Sequence, residues 1–322
     1  MLSVPRFLCS LFLPGFLDSI MSTPRLDDAT VGAFLRELED VEATIQRVEF
    51  SDLPFANGSI VPLEIQNKPW AKDVTYRQIT RTGRFALQRS YSSNVPMIDV
   101  LSQEFTQKVH KFAGGYWFSD DDIQAVVHTG TDLEQEKIAG VKEASEQEMN
   151  DLIAFGNPKI GMHGFLNDPN ILYSFAPYKI DSSSTPVQIL ALLHDSVTSV
   201  VKLTKQIEKP DTVLFPVDQY HYLASTMISG ALQTTILKQF LETSPYIKNI
   251  ESINELAGAG ADGTDLMYLY KRDKMKVKAR IMQPLSFLQL ERKGLGYERS
   301  AVFKFGGIVS YRPFSRHAVA GI

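Results

Sequence analysis

The sequence is poor in cysteine and carries no excess of basic charge. Its single cysteine, Cys9, excludes an intrachain disulfide bond and any zinc site built from several cysteines. The 33 basic and 37 acidic residues give a net charge of −4. Proteins that bind nucleic acid through its phosphates usually carry a basic excess, so this balance argues against strong affinity for nucleic acid.

The sequence also lacks the short motifs that mark common active sites. It contains no H-x-x-x-H, H-E-x-x-H, G-x-x-x-x-G-K-[ST] or G-x-S-x-G pattern. A G-x-G-x-x-G match at residues 258–263 precedes a predicted strand instead of a helix, which disfavours dinucleotide binding. We therefore predict no catalytic, cofactor-binding or metal-binding residue. Six histidines are interpreted as scattered surface or core residues: His110, His128, His163, His194, His221 and His317.

The first twenty residues form an apolar leader. Residues 7–17 are mostly apolar but are too few to span a bilayer, which takes about 20 residues. A signal peptide would explain this run, although no A-x-A-like cleavage site follows it. The alternatives, which we prefer, are an upstream start codon with translation beginning at Met21, or an apolar N-terminal arm.

The rest of the chain has enough apolar residues for a folded core. Hydrophobic residues make up 44% and charged residues 22% of the 322 positions, as in ordinary globular proteins. Residues 26–50 repeat apolar side chains at three- and four-residue steps, which predicts an amphipathic helix. Residues 51–72 are proline-rich and irregular, so this helix has no local partner. Its apolar stripe comprises Val31, Phe34, Leu35, Leu38, Val41, Ile45 and Val48.

Residues 73–91 predict a β-hairpin. Residues 74–80 alternate in polarity, the turn residues Arg81-Thr82-Gly83 follow, and residues 85–91 alternate again. Because an isolated two-stranded hairpin is marginal in water, we expect it to lie on its own domain or on another subunit. Its apolar face would carry Val74, Tyr76, Phe85, Leu87 and Tyr91.

The remaining chain mixes helices and strands, which predicts an α+β fold. A helix is predicted over residues 119–155, with a cap formed by Ser119 and Asp122, a break at Gly130 and a stop at residues 156–158. Residues 276–319 are predicted to be mostly β, with one strand on each side of Gly306-Gly307. Residues 177–272 predict a compact α/β unit with helices at 187–207, 219–227 and 234–243, and strands at 211–216, 247–256 and 265–270.

Five short pieces of the sequence follow one another in an order that is typical of one protein family. They are Val74-Thr75-Tyr76-Arg77 with Gly83 and residues 94–100; Phe155-Gly156-Asn157 with Gly161 and residues 164–167; residues 210–214 with Pro216; residues 244–248; and residues 306–313. In this order they resemble the major capsid proteins of tailed bacteriophages, which have the Hong Kong phage capsid fold. The resemblance covers residues 31–322, and the leader before Met21 departs from it.

The resemblance implies a domain organisation. It places an N-terminal leader and arm at 1–60 and an extended-loop hairpin at 61–100. A peripheral domain with a long spine helix would comprise 101–165 and 273–322, and an axial α/β domain 166–272.

The resemblance also implies a function without catalysis or a cofactor. The chain would self-assemble into hexamers and pentamers of an icosahedral shell around double-stranded DNA, which it would hold by confinement without sequence specificity. Its implied partners are other copies of itself, with scaffold, portal and decoration proteins as further candidates and no membrane. It would lie in the virion capsid after assembly in the bacterial host cytoplasm. The alternative is the shell protein of an encapsulin-like nanocompartment.

Overall fold

The computed structural model of the chain describes residues 53–87, 97–122, 133–228, 234–260 and 263–322. The leader and the helix predicted at residues 26–50 lie outside these ranges. No helix in the described ranges has both the length and the apolar character needed to cross a membrane.

Strands account for much of the described chain. They are β1 (Leu63–Ile65), β2 (Asp73–Thr82), β3 (Asp99–Lys108), β4 (His110–Ser119), β5 (Gly156–Asn157), β6 (Met162–His163), β7 (Leu172–Phe175), β8 (Thr212–Phe215), β9 (Asn249–Ser252), β10 (Leu266–Tyr270), β11 (Val277–Arg292), β12 (Gly296–Ser310) and β13 (His317–Ala320). The α-helices are α1 (Leu133–Ala154), α2 (Pro186–Leu203), α3 (Val217–Ser225) and α4 (Ile236–Thr243). Short 3-10 helices cover Pro158–Ile160, Asn254–Leu256 and Pro313–Ser315.

The strands form two larger sheets. One has the order β1-β11-β12-β4, in which the long strands β11 and β12 are antiparallel neighbours. The other has the order β7-β13-β10-β8-β9, so that β13 lies between β7 and β10. Strands β2 and β3 form a separate hairpin, and β5 and β6 form a short second one.

The five-stranded sheet separates two hydrophobic cores. Leu266, Tyr268 and Tyr270 of β10 join the core that contains the buried end of α1 and residues of β11 and β12. Met267 and Leu269, on the opposite face, join the core formed with α2, α3 and α4. Successive side chains of a strand point to opposite faces, and both faces of this sheet are covered. This explains why the whole segment Leu-Met-Tyr-Leu-Tyr is buried.

The predicted cap at Ser119 and the predicted stop after residue 155 are confirmed; the cap begins a helical turn at residues 120–122, and α1 begins at Leu133. The backbone amide of Ser119 donates to Asp122 Oδ2 at 3.1 Å, and the amide of Asp122 donates to Ser119 Oγ at 3.0 Å. The bond from the Ser119 amide holds the pKa of Asp122 below its ordinary value. Helix α1 ends at Ala154, and Gly156 follows with a φ of +72°. Residues 123–132, including the predicted break at Gly130, lie outside the described ranges.

Most predicted elements of residues 177–272 are confirmed with small shifts at their ends. Helix α2 begins with a capping box, in which Thr185 Oγ1 accepts from the Gln188 amide and the Gln188 side chain accepts from the Thr185 amide. Strands β8 and β10 lie at the predicted positions, whereas β9 covers only Asn249–Ser252 of the strand predicted at 247–256, and Asn254–Leu256 form a 3-10 helix.

The prediction that residues 85–91 form the return strand of the hairpin is wrong. Strand β2 pairs with β3, with Thr82 opposite Asp99 and Asp73 opposite Lys108. Residues 84–87 form no strand, and residues 88–96 lie outside the described ranges. The alternation at 85–91 satisfies the local pattern. The observed register instead allows ten consecutive cross-strand pairs, which stabilise the hairpin along its length.

The prediction of two strands about Gly306-Gly307 is also wrong. Strand β12 runs continuously from Gly296 to Ser310. Gly307 has a φ of +80°, and the register with β11 shifts beside it, which marks a β-bulge. Glycine is favoured both in β-bulges and in turns because it readily adopts a positive φ, so a glycine pair in the sequence does not distinguish the two.

A pair of glycine substitutions should have opposite effects on stability. A Cβ atom at Gly156 would lie 2.3 Å from the Met162 carbonyl oxygen and would sit on a left-handed residue. Gly156→Ala should therefore lower the free energy of unfolding by about 2 kcal/mol or more. Gly140→Ala, in the interior of α1 with open space around its Cβ, should raise it by about 0.5–1 kcal/mol. Urea unfolding of the unassembled subunits measures both changes, and equal effects would contradict this account.

Candidate assembly surfaces

The β2–β3 hairpin exposes nearly all of its side chains. Each strand has ten residues, which corresponds to a length of about 33 Å. Within the two strands only Val74 is buried, at the base of the hairpin. The remaining surface, which includes Ile79 and Leu101, has no covering element among the described residues. A two-stranded ribbon of this length that is exposed on both faces is not stable by itself in water, which indicates that it contacts another molecule.

The glycine bulge of β12 supports the base of this hairpin. Gln107 Nε2 donates to the Ile308 carbonyl at 2.8 Å, and a Cβ atom at Gly306 would come within 3.2 Å of Val74. The Tyr76 ring stacks on Phe105, with its centroid 5.3 Å away, and also meets Tyr311 edge-on. The bulge thus allows β2 and β3 to pack closely against the four-stranded sheet.

The tip of the hairpin presents large apolar side chains to solvent. Phe85 is 95% exposed and Leu87 is 98% exposed, and Met97 is exposed on the opposite branch. Both Phe85 and Leu87 were predicted to lie on an apolar hairpin face; they lie instead in the connection after β2. Their exposure supports the expectation that these two side chains contact another subunit.

A second exposed apolar surface lies at the far end of the four-stranded sheet. Strand β11 is buried at its start and exposed towards Arg292. Leu288, Leu290 and Trp117 are half exposed there, and Leu295 in the β11–β12 turn is 81% exposed. This surface was missed in the sequence, although the run Leu285-Ser286-Phe287-Leu288-Gln289-Leu290 was a signal for a strand with an apolar outer side.

Buried charges join distant parts of the chain. The Arg316 guanidinium pairs with Asp168, donates to Ser310 Oγ at 2.7 Å and lies over the Phe165 ring. Nearby, the Tyr268 hydroxyl donates to the Phe165 carbonyl at 2.7 Å, and burial raises the pKa of Tyr268 to about 12. These groups are enclosed by structural partners.

A second buried carboxylate ties the end of α2 to the start of β11. Glu208 is buried and pairs with Lys276 at 2.6 Å and with Arg312 at 2.9 Å. On the neighbouring edge strand, Glu64 pairs with Lys278 and Arg280. Burial alone would raise the pKa of Glu64, but these two cations hold it below its ordinary value.

The histidines and the glycine-rich loop do not form a common centre. His194 Nε2 lies 3.0 Å from Thr243 Oγ1, whereas His317 is buried in β13; His128 lies outside the described ranges. No three His, Cys, Asp or Glu side chains converge within those ranges in a way that could hold a metal ion. The loop at 258–263 precedes β10, as predicted, and the Gly258 amide donates to Asp265 Oδ1 at 3.0 Å.

His317 should make stability depend on pH. Burial lowers the pKa of His317 below its ordinary value. In the neutral tautomer with Nδ1 protonated, Nδ1 donates to the Ser196 carbonyl at 3.2 Å and Nε2 accepts from Ser174 Oγ at 2.8 Å. The unfolded state therefore binds the proton first as the pH falls. The free energy of unfolding should then decrease between about pH 7 and pH 5.

The test of this pH effect compares slopes. His317→Gln should flatten the dependence of the unfolding midpoint on pH in that window, whatever its effect on stability at pH 7. The matched control is His221→Gln, at an exposed position of α3, which should keep the original slope. An unchanged slope in His317→Gln would assign the effect to other groups.

A comparison with known protein families identifies the family of this chain. A model described as "Major capsid protein" matches residues 83–322, which is most of the chain. The chain belongs to the major capsid protein family. No curated protein matches this capsid protein in a sequence search.

Solved structures of capsids share its fold. The capsid of Myoviridae phage XM1 is 19% identical, with a TM-score of 0.77 over 89% of this chain and 98% of that one. Mycobacterium phage Bobi gives 14% identity and a TM-score of 0.56 over 91% and 98% of the two chains. A virus-like particle from Pyrococcus furiosus gives 11% identity and a TM-score of 0.51 over 81% and 90%.

These findings confirm the main predictions from the sequence. The prediction of a major capsid protein of the tailed-phage type is confirmed, and the mixed helix and strand fold matches that of phage capsids. The encapsulin-like alternative is less well supported. The family is one of structural proteins that form the virion shell.

Proposed function

We propose that this capsid protein forms hexamers and pentamers of an icosahedral shell that encloses double-stranded DNA. The observation that carries the proposal is the hairpin tip, where Phe85 and Leu87 are almost fully exposed. A monomer would leave these side chains in water, whereas a neighbouring subunit can bury them. Closed symmetric contacts then give a shell of limited size instead of an open fibre.

The proposed domains follow from this role. Helix α1 would be the spine helix of a peripheral domain comprising 101–165 and 273–322, and 166–272 would form the axial domain. The extended loop, predicted at 61–100, would be the β2–β3 hairpin; because β3 ends at Lys108, this loop would extend eight residues into the range predicted for the peripheral domain. Residues 1–60 would be the leader and arm. In support, α1 packs against β4, β11 and β12, and α2, α3 and α4 cover the five-stranded sheet.

The remaining parts of the proposal concern partners and place. The protein would act without enzymatic activity, cofactor or bound metal, and would assemble in the host cytoplasm. DNA would be confined without sequence recognition, and scaffold, portal and decoration proteins would be further partners. The net charge of −4 supports confinement over tight DNA binding.

Expression in a bacterial host tests the proposal. The full chain and a chain beginning at Met21 are purified side by side and studied by electron microscopy and native mass spectrometry. We expect closed particles, and rings of five or six subunits when assembly is interrupted. A product that stays monomeric at high concentration, in several salts and with a scaffold supplied, would refute the proposal. Neighbouring portal and terminase genes would favour a phage, and a peroxidase or ferritin-like gene an encapsulin.

A further inference from the structure

Strand β4 forms an open edge of the four-stranded sheet. The strand order β1-β11-β12-β4 leaves one side of β4 without a neighbouring strand among the described residues. The strand has ten residues, which corresponds to about 33 Å, and its register with β12 is uninterrupted. A long, regular edge is a template for pairing with another chain, and proteins that avoid such pairing interrupt their edges with proline, bulges or inward-pointing charges.

Hydrogen bonds at both ends of β4 show which backbone groups face outward. The Asp120 amide donates towards β12, to the Leu295 carbonyl at 3.1 Å, whereas the Val109 amide donates away from β12, to the Lys72 carbonyl at 2.8 Å. Because the direction of the amides alternates along a regular strand, the odd-numbered residues of β4 point their N–H and C=O groups outward. These residues are Lys111, Ala113, Gly115 and Trp117.

Most of these outward groups have no partner among the described residues. The Trp117 carbonyl accepts from Lys137 Nζ at 2.7 Å, and its second lone pair can accept another bond. The N–H and C=O groups of Lys111, Ala113 and Gly115 bond to no described residue, and all three residues are exposed. The middle of the edge therefore offers free donors and acceptors with little side-chain bulk around them.

The two ends of this edge carry opposite charge. At the first end, where β4 leaves the hairpin, bases outnumber acids, and at the second end acids outnumber bases. The first end has Lys72, Lys108 and Lys111 against Asp73, and the second has Asp120, Asp121 and Asp122 against Arg292. Two copies of the edge in antiparallel orientation would place opposite charges together, whereas a parallel orientation would place like charges together.

The side chains of the edge also match in the antiparallel orientation. With Gly115 of one copy opposite Gly115 of the other, each Trp117 would lie opposite an Ala113, so that a large side chain faces a small one. The absence of a Cβ atom at Gly115 allows the two backbones to approach closely at the centre. Charge, side-chain size and free backbone groups thus all favour a second copy of the same strand as the partner.

We propose that β4 pairs with β4 of a second copy about a two-fold axis at Gly115, which joins two four-stranded sheets into one continuous sheet. Three hydrogen-bonded residue pairs would give about six backbone hydrogen bonds. The inference rests on the proposed self-assembly and assigns the contact between adjacent rings. Rings of five or six subunits need a contact between unlike surfaces, whereas two rings that meet at a two-fold axis need a surface that matches itself.

A single cysteine close to the two-fold axis tests this contact. Cys9→Ser/Gly114→Cys of the full chain puts one thiol on each copy, and a Cβ atom at Gly114 meets no atom within 4 Å. The two cysteines would lie diagonally across the axis, about 7–8 Å apart. After assembly and treatment with a short bis-maleimide, we expect a 114–114 cross-link between chains, identified by peptide mass spectrometry. The matched control is Cys9→Ser/Gly140→Cys, at an equally open glycine of α1, which should give none.

The outcomes separate this inference from the proposed function. Absence of rings and shells from the unmodified chain would count against the proposed function. Shells in which position 114 is not cross-linked, or is cross-linked no more than position 140, would overturn only the pairing of β4. The same result is expected if a segment of another protein covers this edge.

A proline on the open edge provides an independent readout. Ala113→Pro removes an outward N–H that bonds to no described residue, so the circular dichroism spectrum and the urea midpoint should be unchanged. The yield of closed shells should fall about tenfold or more, while separate rings of five or six subunits persist. Ala113→Ser keeps the N–H and is the matched control. Equal shell yields from the two variants would overturn the pairing, and if Ala113→Pro does not fold, the cross-link at position 114 decides.

Discussion

Replacing Phe85 and Leu87 together with aspartate should abolish shell formation and leave the subunit folded. Both side chains are almost fully exposed, so the substitutions remove no intramolecular packing. In a shell, each buried aromatic or aliphatic anchor contributes about 2 kcal/mol, which is about thirtyfold in affinity per contact. Because every subunit would lose the contact, the loss should repeat around each ring and between rings.

The measurement combines particle yield with subunit stability. Phe85→Asp/Leu87→Asp should give no particles by sedimentation and electron microscopy, with an unchanged circular dichroism spectrum and urea midpoint. The matched control is Phe85→Leu/Leu87→Met, which keeps the apolar character and should assemble. Normal particle yield from the aspartate variant would show that the hairpin tip is not a subunit contact.

Arg316→Met should lower the free energy of unfolding by about 3–5 kcal/mol. The guanidinium is 1% exposed and satisfies the carboxylate of Asp168 and the hydroxyl of Ser310. Removing it leaves the Asp168 carboxylate, whose side chain is 13% exposed, without its counter-ion, which costs more than the lost hydrogen bonds alone. Methionine keeps much of the volume, so the expected loss reflects charge and not a cavity.

Two further variants make this prediction specific. Arg316→Met combined with Asp168→Asn should recover part of the loss, since it removes the orphaned charge. Lys293→Met breaks an exposed ion pair with Glu298 and should leave the urea midpoint unchanged. Equal destabilisation by Arg316→Met and Lys293→Met would show that burial does not set the effect.

Elements with their own local signals could be predicted from the sequence. Thr185, Pro186 and Gln188 mark the start of α2, and the buried strand β8 follows from an uninterrupted apolar run. The capping pair Ser119 and Asp122 was likewise predictable from the sequence. In each case the residues that decide the structure are neighbours in the chain.

Elements decided by distant residues could not be predicted. Strand β2 pairs with residues 99–108 through ten cross-strand pairs. The nearer segment at 85–91 has the clearer alternation of polar and apolar residues, so the sequence alone favours the wrong partner. The role of Gly306-Gly307 depends on Val74 and Gln107, which lie some 200 residues earlier in the chain. The candidate surfaces share this limit, because exposure of Leu295 or Ile207 depends on what packs elsewhere.

The position of β13 has a consequence for the order of events during synthesis. Residues 317–320 leave the ribosome after every other strand of their sheet, yet they pair with β10 on one side and β7 on the other. Until then β7 has no neighbour in the sheet, and each core lacks the side chains that β13 contributes to it. A nascent chain therefore cannot close this sheet early, and a prematurely terminated chain would lack the strand that joins β7 to β10 and could not be incorporated into the shell.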